Sequence, residues 1–390
     1  MTEVADRTTP RARHARTRAS IRSAGGRRTV FVLVIVAMLL TIGLGAMLSA
    51  SSVASIKANG DQFELFTKQI MWVGLGLAAL VLTSFIPYRV WQRFALPIFV
   101  ATIVGLVATV VIGSTRGGAT RWIVLGPVTL QVGEFAKFAT IALLATALTK
   151  KDDLLSDFKH LLAPLLAILL PVIVLLMAQP DFGTVLLIVG PVFVMLFAST
   201  VPIRFVFSIG VLGISALAAL AMSAEYRKAR LLSFLDPFAS AGGDGFQAVQ
   251  SMVAFGTGGL FGVGLGQSRA RWSWLPNAHT DFIFAIIGEE TGFAGAFIVV
   301  TLFMLLAAVG VSIAYRAPDM FGRLLAIGIV SWLTLQAIIN IGGVVAVLPI
   351  TGVPLPFISS GGNAMLVNLA AIGVLLNIAR TPNVVSAERS

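Results

Sequence analysis

The chain has 390 residues, 57% of them hydrophobic and 12% charged, with a mean hydropathy of +0.94. These values exclude a soluble domain and leave room for many bilayer spans, so the chain is an integral membrane protein. The absence of cysteine excludes a disulfide framework, a metallothiolate and a thiol nucleophile. The net charge of +11 includes eight Arg in the first 28 residues, just ahead of the first apolar run, which signals a cytoplasmic flank and not nucleic acid.

Residues 1–29 are rich in Arg, Thr and Ala, and a disordered basic cytoplasmic tail is expected there. Val30 to Ala50 is too long and too apolar for a signal-peptide core and reads as a retained span. Further spans are expected near 69–86, 94–113, 131–149, 161–178, 182–199, 203–222, 281–314, 321–347 and 363–379, ten in all. With the N-terminus inside, inner segments carry 18 Lys and Arg and outer ones 9, with Lys137 left within a span. That bias predicts both termini in the cytoplasm, residues 381–390 as a short C-terminal tail, and the polar-rich loops outside. The longest of these loops, 223–280, joins the seventh and eighth spans.

Four outer features stand out. Ser114 to Pro127 is a glycine-containing, non-helical loop with Arg116, Arg121 and an interfacial Trp122. Glu134 and Lys137, three apart at the outer end of the fourth span, share a helix face and can form a structural ion pair. In the long loop, Gly256 to Gly266 superficially suggests a phosphate cradle. No strand precedes it, and close packing or a re-entrant turn explains its glycines better. Pro349 to Asn363 is irregular backbone at membrane depth, and its Ser359-Ser360-Gly361-Gly362 end offers free N–H groups to an anion at a helix start.

The decisive stretch runs from Arg269 to Gly292, where a polar segment passes directly into an apolar one that still holds carboxylates. Asp281 sits at the border. His279 lies two residues before it and, with no second His or Cys nearby, is better explained by a loop hydrogen bond than by zinc. At about 100° per residue, Glu289 lies some 80° from Asp281 and about 12 Å deeper, toward the same cavity. Glu290 points to the opposite side and a neighbouring helix.

Leu275-Pro-Asn-Ala-His-Thr-Asp281-Phe-Ile-Phe-Ala-Ile-Ile-Gly-Glu-Glu, Pro349-Ile-Thr-Gly-Val-Pro-Leu-Pro-Phe-Ile-Ser-Ser-Gly-Gly, Gly118-Ala-Thr-Arg-Trp122 and Gly245-Phe-Gln247-Ala-Val-Gln-Ser251 closely resemble the SEDS proteins of shape, elongation, division and sporulation. Within that family, Phe261-Gly-Val-Gly-Leu-Gly-Gln-Ser268 is most like the division member, with the elongation member next. Val132-Gly133, Ala346, where a Gly is common, and Asn363-Ala364 depart from the family pattern.

The resemblance implies an all-α protein of ten transmembrane helices that polymerises lipid II on the outer face of the cytoplasmic membrane. It also implies a class B penicillin-binding transpeptidase as partner, its membrane helix near the eighth and ninth spans, alongside other division proteins. Asp281 matches the essential catalytic acid. Arg121, Trp122, Glu134, Lys137, Gln247, His279, Thr280, Ser359, Ser360, Gly361 and Gly362 are the expected substrate contacts. The chemistry agrees: prenyl pyrophosphate leaves as a stable anion, so one base suffices where a glycosidase needs two carboxyls. Asp281 is expected to be that base, raised toward neutrality by partial burial. Arg121, Lys137 and the Gly361-Gly362 helix end are expected to hold pyrophosphate, a role that a divalent cation, magnesium or manganese, can share. A lipid II flippase would use the same cavity, but no internal repeat relates residues 30–200 to the remainder. A pure scaffold would tolerate Asp281→Ala.

Overall fold

The computed structural model describes residues 10–59, 61–116, 119–126, 128–150, 157–239, 242–243, 245–270 and 279–381. Gly117, Gly118, Pro127 and the stretch 271–278, which holds the Leu275 to Ala278 part of the family motif, lie outside them. So do residues 1–9 and nearly all of the C-terminal tail.

The ten expected spans appear as α1 (Pro10–Asn59), α2 (Glu64–Phe85), α3 (Tyr88–Ile112), α4 (Val132–Lys150), α5 (Phe158–Ala178), α6 (Phe182–Ala198), α7 (Ile203–Met222), α10 (Ile283–Tyr315), α11 (Met320–Val344) and α12 (Gly362–Arg380). Among the described residues nine helices are long and apolar enough to cross a membrane, and α6 is a shorter apolar helix. The helical part of α1 starts at Pro10, so residues 10–29 form a helix where a disordered tail was expected. Arg and Ala are strong helix formers, and the apolar span that follows supplies the nucleus they extend.

Two short helices, α8 (Glu225–Leu235) and α9 (Phe246–Gly258), occupy the long loop between α7 and α10. The loop after α3 is a small antiparallel sheet, β1 (Ser114–Arg116), β2 (Ala119–Leu125) and β3 (Val128–Leu130), with Ser114 opposite Trp122 and Ile123 opposite Leu130. Spans α4, α11 and α12 are the most buried and form the centre, whereas α7 is the most exposed and rims the bundle. A helix apolar all round is stable in either place, which is why hydropathy alone does not separate them.

The glycine run after α9 is structural. Gly292 breaks α10 at φ +68, and a Cβ there would lie 2.4 Å from the Gly262 nitrogen. The run binds across this break: Val263 and Gly264 donate to the carbonyls of Glu289 and Glu290, while Phe293 and Ala294 donate to those of Gly259 and Leu260. Backbone groups freed by the kink are thereby paired inside the protein, as a membrane core demands. The close-packing reading of these glycines holds.

Candidate active site

Asp281 sits just ahead of α10, where the chain turns out of the bundle, and two neighbours fix its main chain. Asn340 of α11 donates to the Asp281 carbonyl at 2.8 Å, and Ser360 donates to that of His279 at 3.1 Å. The first bond comes from the core and the second from the irregular 349–361 loop, so the acid is clamped between them. That loop is itself well held. Asn340 also donates to Val353 O (2.7 Å), Gln336 to Pro354 O (2.8 Å) and Gln69 of α2 to Ser359 O (3.3 Å), while Asn363, in the first turn of α12, donates to Thr129 O of β3 (2.7 Å).

The Asp281 side chain lines a narrow recess with Asn340, Gly343, Ile350 and Gly352. Gly343 and Ile350 are shared with a cavity of about 330 Å³ whose other walls include Arg230, Ser233, Phe234, Phe246 and Gln247. The larger space, between α8, α9 and the end of α11, opens beside the acid. No other acid lines either space among the described residues. Burial pushes the Asp281 carboxyl up to about 6, against the opposing pull of Arg230 and then Arg121. A base with that value is mostly ionised at neutral pH yet still able to accept a proton. Burial also lowers His279, which favours its neutral form.

Arg121 reaches this region from β2. Its guanidinium donates to the Pro180 carbonyl and lies 3.6 Å from Asp181, which caps α6 and accepts from Thr184. Strand alternation places Trp122 on the opposite face from Arg121, so the two do not face one site together. Thr280 and His279 lie beside the acid in its own loop, and Gln247 lines the larger cavity.

Other expected contacts lie elsewhere. Lys137 is fully enclosed: its ammonium donates to Glu134 at 2.8 Å and to Gln336 at 3.1 Å, and rests 4.8 Å from the Trp332 ring centroid. It is spent on a structural ion pair and presents nothing to pyrophosphate. The Ser359 hydroxyl serves its own loop by accepting from Leu355 N at 2.8 Å. Trp72 covers Gly362, while Ser360 and Gly361 at the start of α12 stay half-buried. Glu289 does not look into the cavity. It accepts from Ser268 Oγ at 2.5 Å, Arg269 N at 3.0 Å and Ala270 N at 3.2 Å, anchoring the chain ahead of the segment that leads to Asp281. Glu290 accepts from Ser49 of α1, the neighbouring helix expected for it.

No three His, Asp or Glu side chains converge among the described residues. The set around Asp281, one carboxylate among cations and amides, does not fit a protein-held divalent ion. Asn340, Gln336, Asp181 and Arg230 went unassigned in the sequence. The first two carry a signal, polar groups four apart in an apolar span, which mark an inward face.

A family model for cell cycle proteins, FtsW, RodA and SpoVE, matches residues 30–383. The chain belongs to that SEDS family. It is 39% identical over 353 residues to Stage V sporulation protein E of Bacillus subtilis, covering 90% of this chain and 96% of that protein. To the probable peptidoglycan glycosyltransferase FtsW of Geobacter metallireducens it is 39% identical over 350 residues, 89% and 93% of the two chains. Among solved structures, a chain of a peptidoglycan synthase complex that coordinates polymerization and crosslinking superposes with a TM-score of 0.73. That chain is 29% identical, with 90% of this chain and 96% of that one covered. The Thermus thermophilus rod shape determining protein RodA gives 0.66 at 29% identity, with 90% and 95% covered. The multi-pass helical fold and the SEDS assignment read from the motifs both stand, and the names these relatives carry agree with a peptidoglycan glycosyltransferase.

Proposed function

We propose that this SEDS protein is a lipid II polymerase in which Asp281 is the general base. The observation that carries the reading is a single, clamped, half-buried carboxyl opening on a cavity with Arg230 in its wall and, among the described residues, no second acid. Joining two lipid-linked disaccharides breaks the O–H bond of the acceptor's 4-hydroxyl and forms a bond from that oxygen to the donor's anomeric carbon. The anomeric C–O bond breaks as its electron pair leaves on prenyl pyrophosphate. The proton passes to Asp281. Direct displacement turns an α-linked donor into a β-linked product.

Arg121 and the half-buried start of α12 at Ser360 to Gly362 are the groups suited to the departing pyrophosphate, since both bring positive charge near the acid. Lys137 is left out of this set because it is enclosed.

The charge bias of the loops supports placing Asp281 on the outer face of the cytoplasmic membrane, with both termini inside. A division role is supported by the Phe261 to Ser268 form. A class B transpeptidase partner is supported by the likeness to a polymerizing and crosslinking complex. The apolar side chains that α10 leaves exposed, Phe293, Phe297 and Met304 among them, suit that partner's membrane helix.

The test is a product gel from labelled lipid II with the partner transpeptidase present. Wild type should give glycan chains and Asp281→Asn none. Chains from Asp281→Asn, or lipid made accessible to a quencher without chains from wild type, would overturn the reading, the latter in favour of a flippase.

A further inference from the structure

We propose that Arg230 is a second catalytic residue, which shares with Asp281 a one-atom slot that receives the attacking hydroxyl oxygen of the acceptor. The assignment rests on Asp281 being the base.

The slot is made by a glycine. Gly352 adopts φ +73, and a Cβ built there would lie 3.5 Å from Oδ2 of Asp281 and 4.0 Å from Nη1 of Arg230. Because Gly352 has no side chain, a position open to a single heavy atom remains within van der Waals reach of both the acid and the guanidinium. Any other residue would strain the backbone and fill the space. Acid and guanidinium do not pair directly, since no ion pair joins them within 4.0 Å among the described residues. A direct pair would neutralise the base and close the gap.

The cations nearby differ in how far they are committed. Arg121 is held by Asp181 and the Pro180 carbonyl, and Arg227 by Ser223 Oγ with Phe182 beneath it. The Arg230 guanidinium donates to no described residue and lines the cavity of about 330 Å³. That volume is at the lower end for small-molecule sites, about 300–1,000 Å³. Phe234 and Phe246 give it apolar faces, Gln247 and Ser233 hydrogen-bonding groups. Such a lining suits one N-acylated sugar ring, whose hydroxyl would enter the slot from the cavity.

The step then balances within the slot. Asp281 takes the hydroxyl proton as the oxygen bonds to the anomeric carbon. A shift of about 1 Å brings the Arg230 guanidinium, 4.0 Å from that position, to hydrogen-bond distance of the same oxygen, where it offsets the charge the oxygen gains before the new bond is complete. The anomeric C–O electron pair leaves with pyrophosphate, as above.

The test is a pH–rate profile of lipid II polymerisation by the full chain with its transpeptidase, for wild type, Arg230→Gln, Arg230→Lys and Asp281→Asn. Loss of one such donor should lower kcat in Arg230→Gln by about 100-fold or more, with KM changed far less. Among the described residues the charged groups acting on Asp281 are Arg230 from α8 and Arg121 from β2 with Asp181 behind it, and His279 lies two residues away in its own loop. Removing a cation from this set should move the acid limb of the Arg230→Gln profile to higher pH. Arg230→Lys should restore the limb and only part of kcat. An unmoved limb in Arg230→Gln, whatever its kcat, overturns the role of Arg230 while leaving Asp281 as base. Activity in Asp281→Asn overturns the base itself, a separate outcome.

Discussion

Asn340 spends both hydrogens of its side-chain amide on main-chain carbonyls, that of Asp281 at 2.8 Å and that of Val353 at 2.7 Å. One side chain on a central helix therefore sets the spacing between Asp281 and the loop that carries Gly352. Asn340→Leu keeps the volume and removes both donors, leaving two carbonyls unsatisfied. The expected cost is about 1–3 kcal/mol in detergent unfolding. A displaced base should also lower polymerisation by ~10–100-fold. Wild-type turnover in a stably folded Asn340→Leu would show that this clamp does not position Asp281.

Replacing Asp281 should stabilise the protein while abolishing its activity. Its folded value of about 6 stands above the ordinary 3.8, so the native chain keeps a proton that the unfolded chain releases between those values. The contribution of this one group to stability is full below pH 4, is lost as pH rises to about 6, and is flat beyond. At pH 7.5 wild type carries this penalty and Asp281→Asn does not. The gain for the variant should be up to about 2 kcal/mol, discounted for the partial exposure of the acid. Melting curves at pH 4 and 7.5 test the sign: the gap must widen with pH, and a constant gap contradicts it.

Lys137 and Glu134 should behave as a structural pair. Lys137→Met alone leaves Glu134 buried without its cation, at a cost of about 3–5 kcal/mol. Adding Glu134→Leu removes the orphan charge and should restore most of the stability. Apparent KM for lipid II in the double variant should stay within about twofold of wild type. A large rise in KM with normal folding would instead return Lys137 to the substrate site.

These residues show where sequence stops being sufficient. Ten spans were legible because a bilayer forces long apolar runs, and Asp281 because an acid at such a border is costly without a use. The ion pair of Glu134 and Lys137 was legible from helix spacing, but its enclosure was not, since Gln336 and Trp332 reach it from another helix. Arg230 and Gly352 approach Asp281 only through tertiary packing of distant segments, and no local pattern encodes that meeting. Glu289 was misplaced for the converse reason: helical angle gave its direction, but not the Ser268 to Ala270 backbone that captures it.

Ala346 sits at φ +56 just past the end of α11. Val347 N donates to Gly342 O at 2.8 Å and Ala346 N to Gly343 O at 3.3 Å, the paired bonds of a Schellman turn. Its left-handed position favours Gly, and a Cβ there costs roughly 1–2 kcal/mol. Ala346→Gly should therefore stabilise the protein by about 0.5–1 kcal/mol, less than the full strain because Gly also loosens the unfolded chain. Ala346→Val, β-branched, should destabilise it. Paired melting curves decide the matter: shifts in the same direction for both variants would show that backbone strain at this turn is not what sets stability there. The same turn feeds the segment leading to Gly352, so Ala346→Val should also lower polymerisation, whereas Ala346→Gly should leave the slot beside Asp281 intact.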